Sequence, residues 1–262
     1  MKILLTNDDG IYAEGLWALH RKFTEQHSVT IVAPDRERSA AGHAITLHKP
    51  LRTAGISFNK GCIGHAVNGT PADCIKLGIL EILDSRPDIV ISGINPGANV
   101  GINVNYSGTV AAAKEAAFYG VPSIAVSIGS HEIDNYNDAA LFVEILTKDV
   151  LEKGLPFGTF LNVNIPDLPL KKIEGVRICK HGTGLYSEYI DKRVDPRNRT
   201  YYWQGCDLQT SIDNSDTDDA FLCRNYISIT PIKCDMTDYG VLEELKGWKI
   251  NKKVSKQSSG GI

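Results

Sequence analysis

Two neighbouring carboxylates, Asp8 and Asp9, stand in the turn Asn7-Asp8-Asp9-Gly10 that follows directly on the apolar run KILLT at residues 2–6. Unpaired charges are costly to bury, so carboxylates at such a place must be hydrated, paired or bound to a cation. Hard divalent ions such as Mg²⁺, Mn²⁺ or Ca²⁺ suit carboxylate oxygens. The same Asp-Asp-Gly also suits a plain Asx turn that caps the next helix. Two further loops carry hard oxygen ligands: Ser39 in DRERSAAG (35–42) and Asn95 in GINPGANVGINVNY (93–106). Taken singly, Ser39 is an ordinary loop serine and Asn95, before Pro96, starts a turn. Brought together, Asp8, Asp9, Ser39 and Asn95 would form a partly hydrated metal site with open positions. A second element, Asn105-Tyr106-Ser107-Gly108-Thr109, opens an alanine-rich run. Free N–H groups and the dipole of a helix start favour an anion such as phosphate. Ser107 and Thr109 add hydroxyl donors and Gly108 permits close backbone approach, although Ser107 serves equally as a simple N-cap. Arg36, Arg38 and His43 offer positive charge or proton donors nearby. A metal beside an anion cradle is equipment for metal-assisted phosphoester hydrolysis.

These residues need a scaffold that brings their loops to one edge. The run at 2–6, ended by a turn, reads as a buried parallel strand, whose carboxyl end is where open α/β sheets place ligands. Leu16, Trp17, Leu19 and Phe23 give residues 13–26 a helical stripe, and SVTIVA (28–33) is a second strand, so the chain opens with a βαβ unit. Alternation at 43–47 points to short antiparallel strands or an excursion before Val67. Thr70-Pro71-Ala72-Asp73 starts a helix running to about Leu83, with Thr as N-cap and Pro at the first position. Strands are expected at 88–92, 121–128 and 160–165, and helices at 110–119 and 138–152. The fold expected is α/β, a Rossmann-like, mostly parallel sheet flanked by helices, with a C-terminal β-hairpin arm. Residues 1–166 form the catalytic core. Residues 167–250 form an extension that includes a short strand at 176–180, a hairpin over 185–204 turning at Asp195-Pro196-Arg197-Asn198, and a strand at 226–232 able to return to the core. Residues 251–262 read as a flexible tail.

A chain of 262 residues can form one large domain or one and a half, and a net charge of −3 argues against a nonspecific nucleic-acid binder. The six cysteines (Cys62, Cys74, Cys179, Cys206, Cys223, Cys234) are scattered without metal spacing, which suits a reduced, cytoplasmic protein. Charged residues arrive by Asp8, too early for a secretory leader, and no apolar run approaches the roughly 18 residues of a membrane span. There is no G-x-x-x-x-G-K-[ST], no G-x-G-x-x-G register and no G-x-S-x-G elbow. A dehalogenase-type phosphatase needs D-x-D, and the second acid counted from Asp8 would fall on Gly10. A response-regulator receiver needs a phosphoacceptor Asp at the end of the third parallel strand, where Ser92-Gly93 stands.

The motifs MKILLTNDDGIYAEGL, APDRERSAAGHAIT, VNGTPADCIKLGI, DIVISGINPGANVG and YSGTVAAAKEAAFYGVPSIAVS, with FLNVNIP and SDTDDAFLCRNYISITPI further on, resemble the survival protein SurE family. The resemblance implies a metal-dependent 5′/3′-nucleotidase acting on nucleoside monophosphates, with short-chain polyphosphate as a further substrate. It implies one Mg²⁺ or Mn²⁺ per subunit on Asp8, Asp9, Ser39 and Asn95, with Asp8, Asp9 and Asn95 catalytic. It also puts Asn7, Gly42, His43, Asn99, Ser107, Gly108 and Thr109 in motifs that line the active site. A homodimer or homotetramer with exchanged C-terminal segments is implied as well. The mechanism expected is in-line attack on phosphorus by a metal-activated water, with Asp8 orienting or deprotonating it; attack by Asp8 itself is the alternative.

Overall fold

Continuous apolar runs become strands because both of their faces are covered. The computed structural model describes residues 1–58, 62–183, 187–207 and 216–248. Strand β1 (Lys2–Thr6) leads through helix α1 (Glu14–Phe23) to β2 (Ser28–Pro34), which lies parallel beside it. Then come β3 (Thr53–Phe58), β4 (Cys62–Val67), helix α2 (Pro71–Leu77), β5 (Ile89–Pro96), helix α3 (Gly108–Phe118) and β6 (Ser123–Ile128). Helix α4 (Asn137–Lys153) and β7 (Thr159–Ile165) complete the first two-thirds. Beyond them lie β8 (Val176–Ile178), β9 (Ser187–Val194), β10 (Thr200–Asp207), helix α5 (Asp218–Cys223), β11 (Ile227–Lys233) and helix α6 (Tyr239–Lys246).

The main sheet runs β3-β4-β2-β1-β5-β6-β7-β11-β8, and β9 pairs with β10 in a separate antiparallel hairpin. Period-two alternation sorts its side chains. Ile3, Leu5, Ile31, Ile89, Ile91 and Val126 face one core, while Leu4, Val32 and Val90 face another. Residues of α1 and α4 complete the first core, and residues of α2 and α3 the second. The result is the α/β, Rossmann-like sheet with helices on both faces expected from the sequence. Because β1 sits between β2 and β5, the chain reverses its direction of growth there. That reversal opens a crevice beyond the strands' carboxyl ends, where such sheets bind ligands.

Three local outcomes differ from the sequence reading. Residues 43–47 form no strand; Thr46 donates its N–H to Asp73 and Thr70 its hydroxyl to the Ala44 carbonyl, so this segment is a strap tied to α2. The antiparallel pair lies later, in β3 and β4. Helix α2 begins with the expected capping box, Thr70 and Asp73 bonding reciprocally, but after Leu77 it continues as a π-helical turn, Gly78–Ile82. Strand β5 also runs on to Pro96, further than expected, which carries Asn95 on the strand end. The arm expected at 185–204 is the β9–β10 hairpin, turning at Asn198 with a left-handed φ of 60°. The strand expected at 226–232 is β11, antiparallel to β7 within the main sheet. The segment 251–262 lies outside the described residues.

Candidate active site

The loop after β1 is shaped by Asn7. Its amide nitrogen donates to the Gly10 carbonyl (2.9 Å) and its amide oxygen accepts from the Gly10 N–H (3.2 Å). Gly10 takes φ +100°, and a Cβ there would lie 2.9 Å from the Arg36 backbone, so the loops after β1 and β2 press together at this point. The Arg38 N–H donates to the Asp8 carbonyl (2.7 Å), which fixes the second loop on the first. Gly42 has φ +55° and donates its N–H to the Tyr106 carbonyl (2.9 Å), tying the second loop to the third.

Asp8, Asp9, Ser39 and Asn95 all line one cavity of about 460 Å³, together with Asn99 and Ser107. Asp8 is buried, and one of its carboxylate oxygens accepts from the Thr109 hydroxyl. Burial pushes this carboxyl up, while Thr109 and the N–H groups of Gly108 and Thr109 work in the opposite sense. Gly108 has to be glycine for room: a Cβ would stand 2.7 Å from the Cβ of Asp8. Asp9 is pushed up to about 7, first by burial and then by the negative charges of Asp8 and Glu37. Its Oδ2 is buried and has no hydrogen-bond partner among the described residues. Asn95 donates its amide nitrogen to the carbonyls of Pro96 (3.1 Å) and Gly97 (2.7 Å), which leaves its carbonyl oxygen as the free acceptor. Ser39 is exposed and its hydroxyl meets Glu37 (2.7 Å).

The helix start behaves as a cap and as a wall. Ser107 accepts from the Val110 N–H (3.1 Å), the ordinary N-cap bond of α3. Thr109 is fully buried with its hydroxyl on Asp8, so it steadies the carboxylate from behind. Asn99 is held at both ends: its side chain donates to Ser127 (2.8 Å), and its carbonyl accepts from Asn162 (2.8 Å) and Asn164 (3.1 Å) of β7. His43 stands apart from the acidic cavity. Its Nε2 is 2.7 Å from Glu115, its ring stacks on Phe118 at 5.8 Å, and it lines a second cavity.

Several groups around the acidic cavity carry no signal of their own in the sequence. Glu37, Asn103, Tyr106 and His131 join its lining. His131 approaches because Gly97, at φ +100°, has no Cβ; one there would be 2.5 Å from the imidazole. Asp218 is buried and accepts from the N–H groups of Gly101, Gly182 and Asp219, anchoring the third loop to α5. Burial pushes its carboxyl up against those donors. The repeated acids of SDTDDAF were the only hint of it.

The donor set fits a hard divalent cation. Two adjacent carboxylates, one with an orphaned buried oxygen, stand with neutral hydroxyl and amide oxygens, a set that leaves room for water and substrate oxygens. Among the described residues no three His, Cys, Asp or Glu side chains cluster to hold a metal, so nothing here resembles a nitrogen- or sulfur-rich centre.

Comparison with known proteins gives a consistent picture. The family model described as Survival protein SurE matches residues 3–188. A "5'-nucleotidase SurE" from Desulfatibacillum aliphaticivorans is 54% identical over 252 residues, covering 96% of this chain and 100% of its own. One of the same name from Geotalea daltonii is 51% identical, covering 95% and 100%. The crystal structure of the SurE protein from Aquifex aeolicus superimposes with a TM-score of 0.83 at 37% identity, covering 95% and 100%. This chain belongs to the Survival protein SurE family.

Proposed function

We propose that this chain is a divalent-metal-dependent phosphatase that releases phosphate from nucleoside 5′- and 3′-monophosphates and from short polyphosphate. The observation that carries the reading is the orphaned Asp9 oxygen beside Asp8, in a cavity walled by the start of α3. The relatives named 5'-nucleotidase, matched over nearly the whole chain, support the substrate class. Asp8, Asp9, Ser39 and Asn95 would hold one Mg²⁺ or Mn²⁺ per subunit, which when bound neutralises phosphoryl charge and acidifies a water toward neutrality.

The protein's own groups do the rest. Ser107 lines the cavity at the N-terminal end of α3 and donates its hydroxyl hydrogen to a phosphoryl oxygen, while the positive end of the helix dipole stabilises charge that grows there during in-line transfer. Thr109 fixes one oxygen of Asp8, so that Asp8 keeps the orientation needed to align the attacking water. Asn95 is held amide-first by backbone carbonyls and presents its oxygen. Asn7 shapes the first loop, Gly42 ties the second loop to the third, Asn99 holds the third loop on β6 and β7, and His43 contacts substrate from the second cavity. A homodimer or homotetramer with exchanged C-terminal segments agrees with the exposed apolar residues of the hairpin and of α6. A cytoplasmic setting agrees with free Cys74, Cys179, Cys223 and Cys234, and no described helix is long and apolar enough to cross a membrane.

The test is phosphate release from AMP, GMP, 3′-AMP and short polyphosphate with Mg²⁺ or Mn²⁺, with and without EDTA. Turnover that the chelator abolishes and excess metal restores is expected. Turnover that survives complete metal removal, or no release from any nucleotide, would overturn the reading.

A further inference from the structure

A second cavity, of about 310 Å³, borders the same segment 103–107 as the acidic one. Ser107 belongs to both linings. Its character is opposite: no carboxylate lines it, and its walls are largely apolar, from Val104, Val110, Phe160 and Ile232. Its size is at the lower end of small-molecule sites, roughly 300–1,000 Å³.

Two lysines supply its cationic donors, and Asn105 of the lining spends its amide nitrogen on the Ile102 carbonyl (3.1 Å). Among the described residues, the Lys114 ammonium meets the Met236 sulfur (3.7 Å) and the Phe118 ring face (6.0 Å), neither a strong acceptor. Lys233 comes no nearer than 3.9 Å to Asp235 and lies over the Tyr239 ring. The two histidines of the lining are already engaged, His43 by Glu115 and His181 by the Gly101 carbonyl (2.7 Å). A lysine offers donors and no acceptor. A flat, apolar-faced molecule entering here therefore meets donors that lack strong partners.

We propose that this cavity receives the base of the nucleotide, with its phosphate at the Ser107–Gly108 helix start, and that Lys114 and Lys233 favour bases presenting paired acceptors. This rests on the phosphatase reading above and adds the base preference to it. Guanine presents two adjacent acceptors, O6 and N7, whereas adenine sets an N6 donor beside its N7. GMP is thus the better substrate and AMP the poorer one.

The experiment measures kcat/KM for GMP, AMP and ribose 5-phosphate with Mn²⁺, in the full chain and in the variants Lys114→Met and Lys233→Met. The unaltered chain is expected to prefer GMP over AMP by about tenfold, the scale of one well-placed base contact. At least one variant should lose most of that preference, through a higher KM for GMP. Circular dichroism checks that each variant folds, and Lys114→Arg, which keeps the donors, should retain the preference. The proposal is overturned if both methionine variants keep the GMP:AMP ratio, or if they lose GMP, AMP and ribose 5-phosphate turnover in equal proportion. If the unaltered chain hydrolyses ribose 5-phosphate as well as GMP, the base site alone is wrong and the phosphatase reading stands. If it hydrolyses none of the three, both fall.

Discussion

At the scale of single residues, the centre of the site is a compromise between burial and charge. Asp8 and Asp9 are held above the usual carboxylate range by burial, in the second case with help from neighbouring negative charge. Removing one of these charges should therefore harm chemistry far more than folding. For Asp8→Asn, kcat is expected to fall by at least about 10²–10³-fold, the scale of losing one preorganised electrostatic group. Its thermal midpoint should stay level or rise, because an amide is cheaper to bury than a carboxylate. A kcat within a few-fold of the unaltered chain would remove Asp8 from the reaction. Asp8, Asp9, Ser39 and Asn95, which line one cavity, stood out in the sequence as candidates because oxygen-bearing side chains in loops after apolar strands have a chemical signature. What lies behind them could not. Thr109 looks like a phosphate donor until its hydroxyl is found on Asp8, and Glu37 and His131 reach the cavity only through loop geometry.

At the scale of elements, strands and helices were legible wherever a period was clean, as in β1, β2 and β7, or wherever a cap was explicit, as at Thr70. The segment 43–52 was not, because its conformation is set by side chains of α2 and α3 and not by its own pattern. The tie that holds it to α3 is Glu115, which is buried and bridges His43 (2.7 Å) and Lys76 (3.1 Å). Burial pushes the Glu115 carboxyl up, but His43 and the Lys76 ammonium outweigh it and hold it below its ordinary 4.5. A depressed carboxylate gives stability that is fully present above its unfolded pKa and is lost as pH falls through the folded one. Glu115→Gln should therefore lower stability by about 1.5–3 kcal/mol near neutrality, the range for a hydrogen bond to a charged group. The gap to the unaltered chain should close as pH falls through and below the ordinary 4.5 of a glutamate. Urea midpoints measured across that range check this; a gap that stays constant would mean that Glu115 is not ionised in the folded chain.

At the scale of the whole molecule, two parts have more apolar surface than one copy can cover. The hairpin exposes Ile190, Tyr202 and Trp203, and α6 has no buried residue at all while showing Leu242 and Leu245. Patches of this kind mark association surfaces, and a stable interface buries roughly 1,200–2,000 Å². Light scattering at micromolar concentration should give the mass of a dimer or tetramer, and the pair Leu242→Asp and Leu245→Asp should shift it downward. A single-chain mass for the unaltered protein would remove this expectation. The order of the central strands has a consequence of a different kind. Strand β1 lies between β2 and β5, with Ile3 paired to Ile89, so Asp8 and Asn95 meet only after about eighty-five residues of chain have closed on themselves. Such non-local pairing comes slowly during folding. A chain that has regained its helices but not this register would have no site, and the return of activity would time the closing of the sheet.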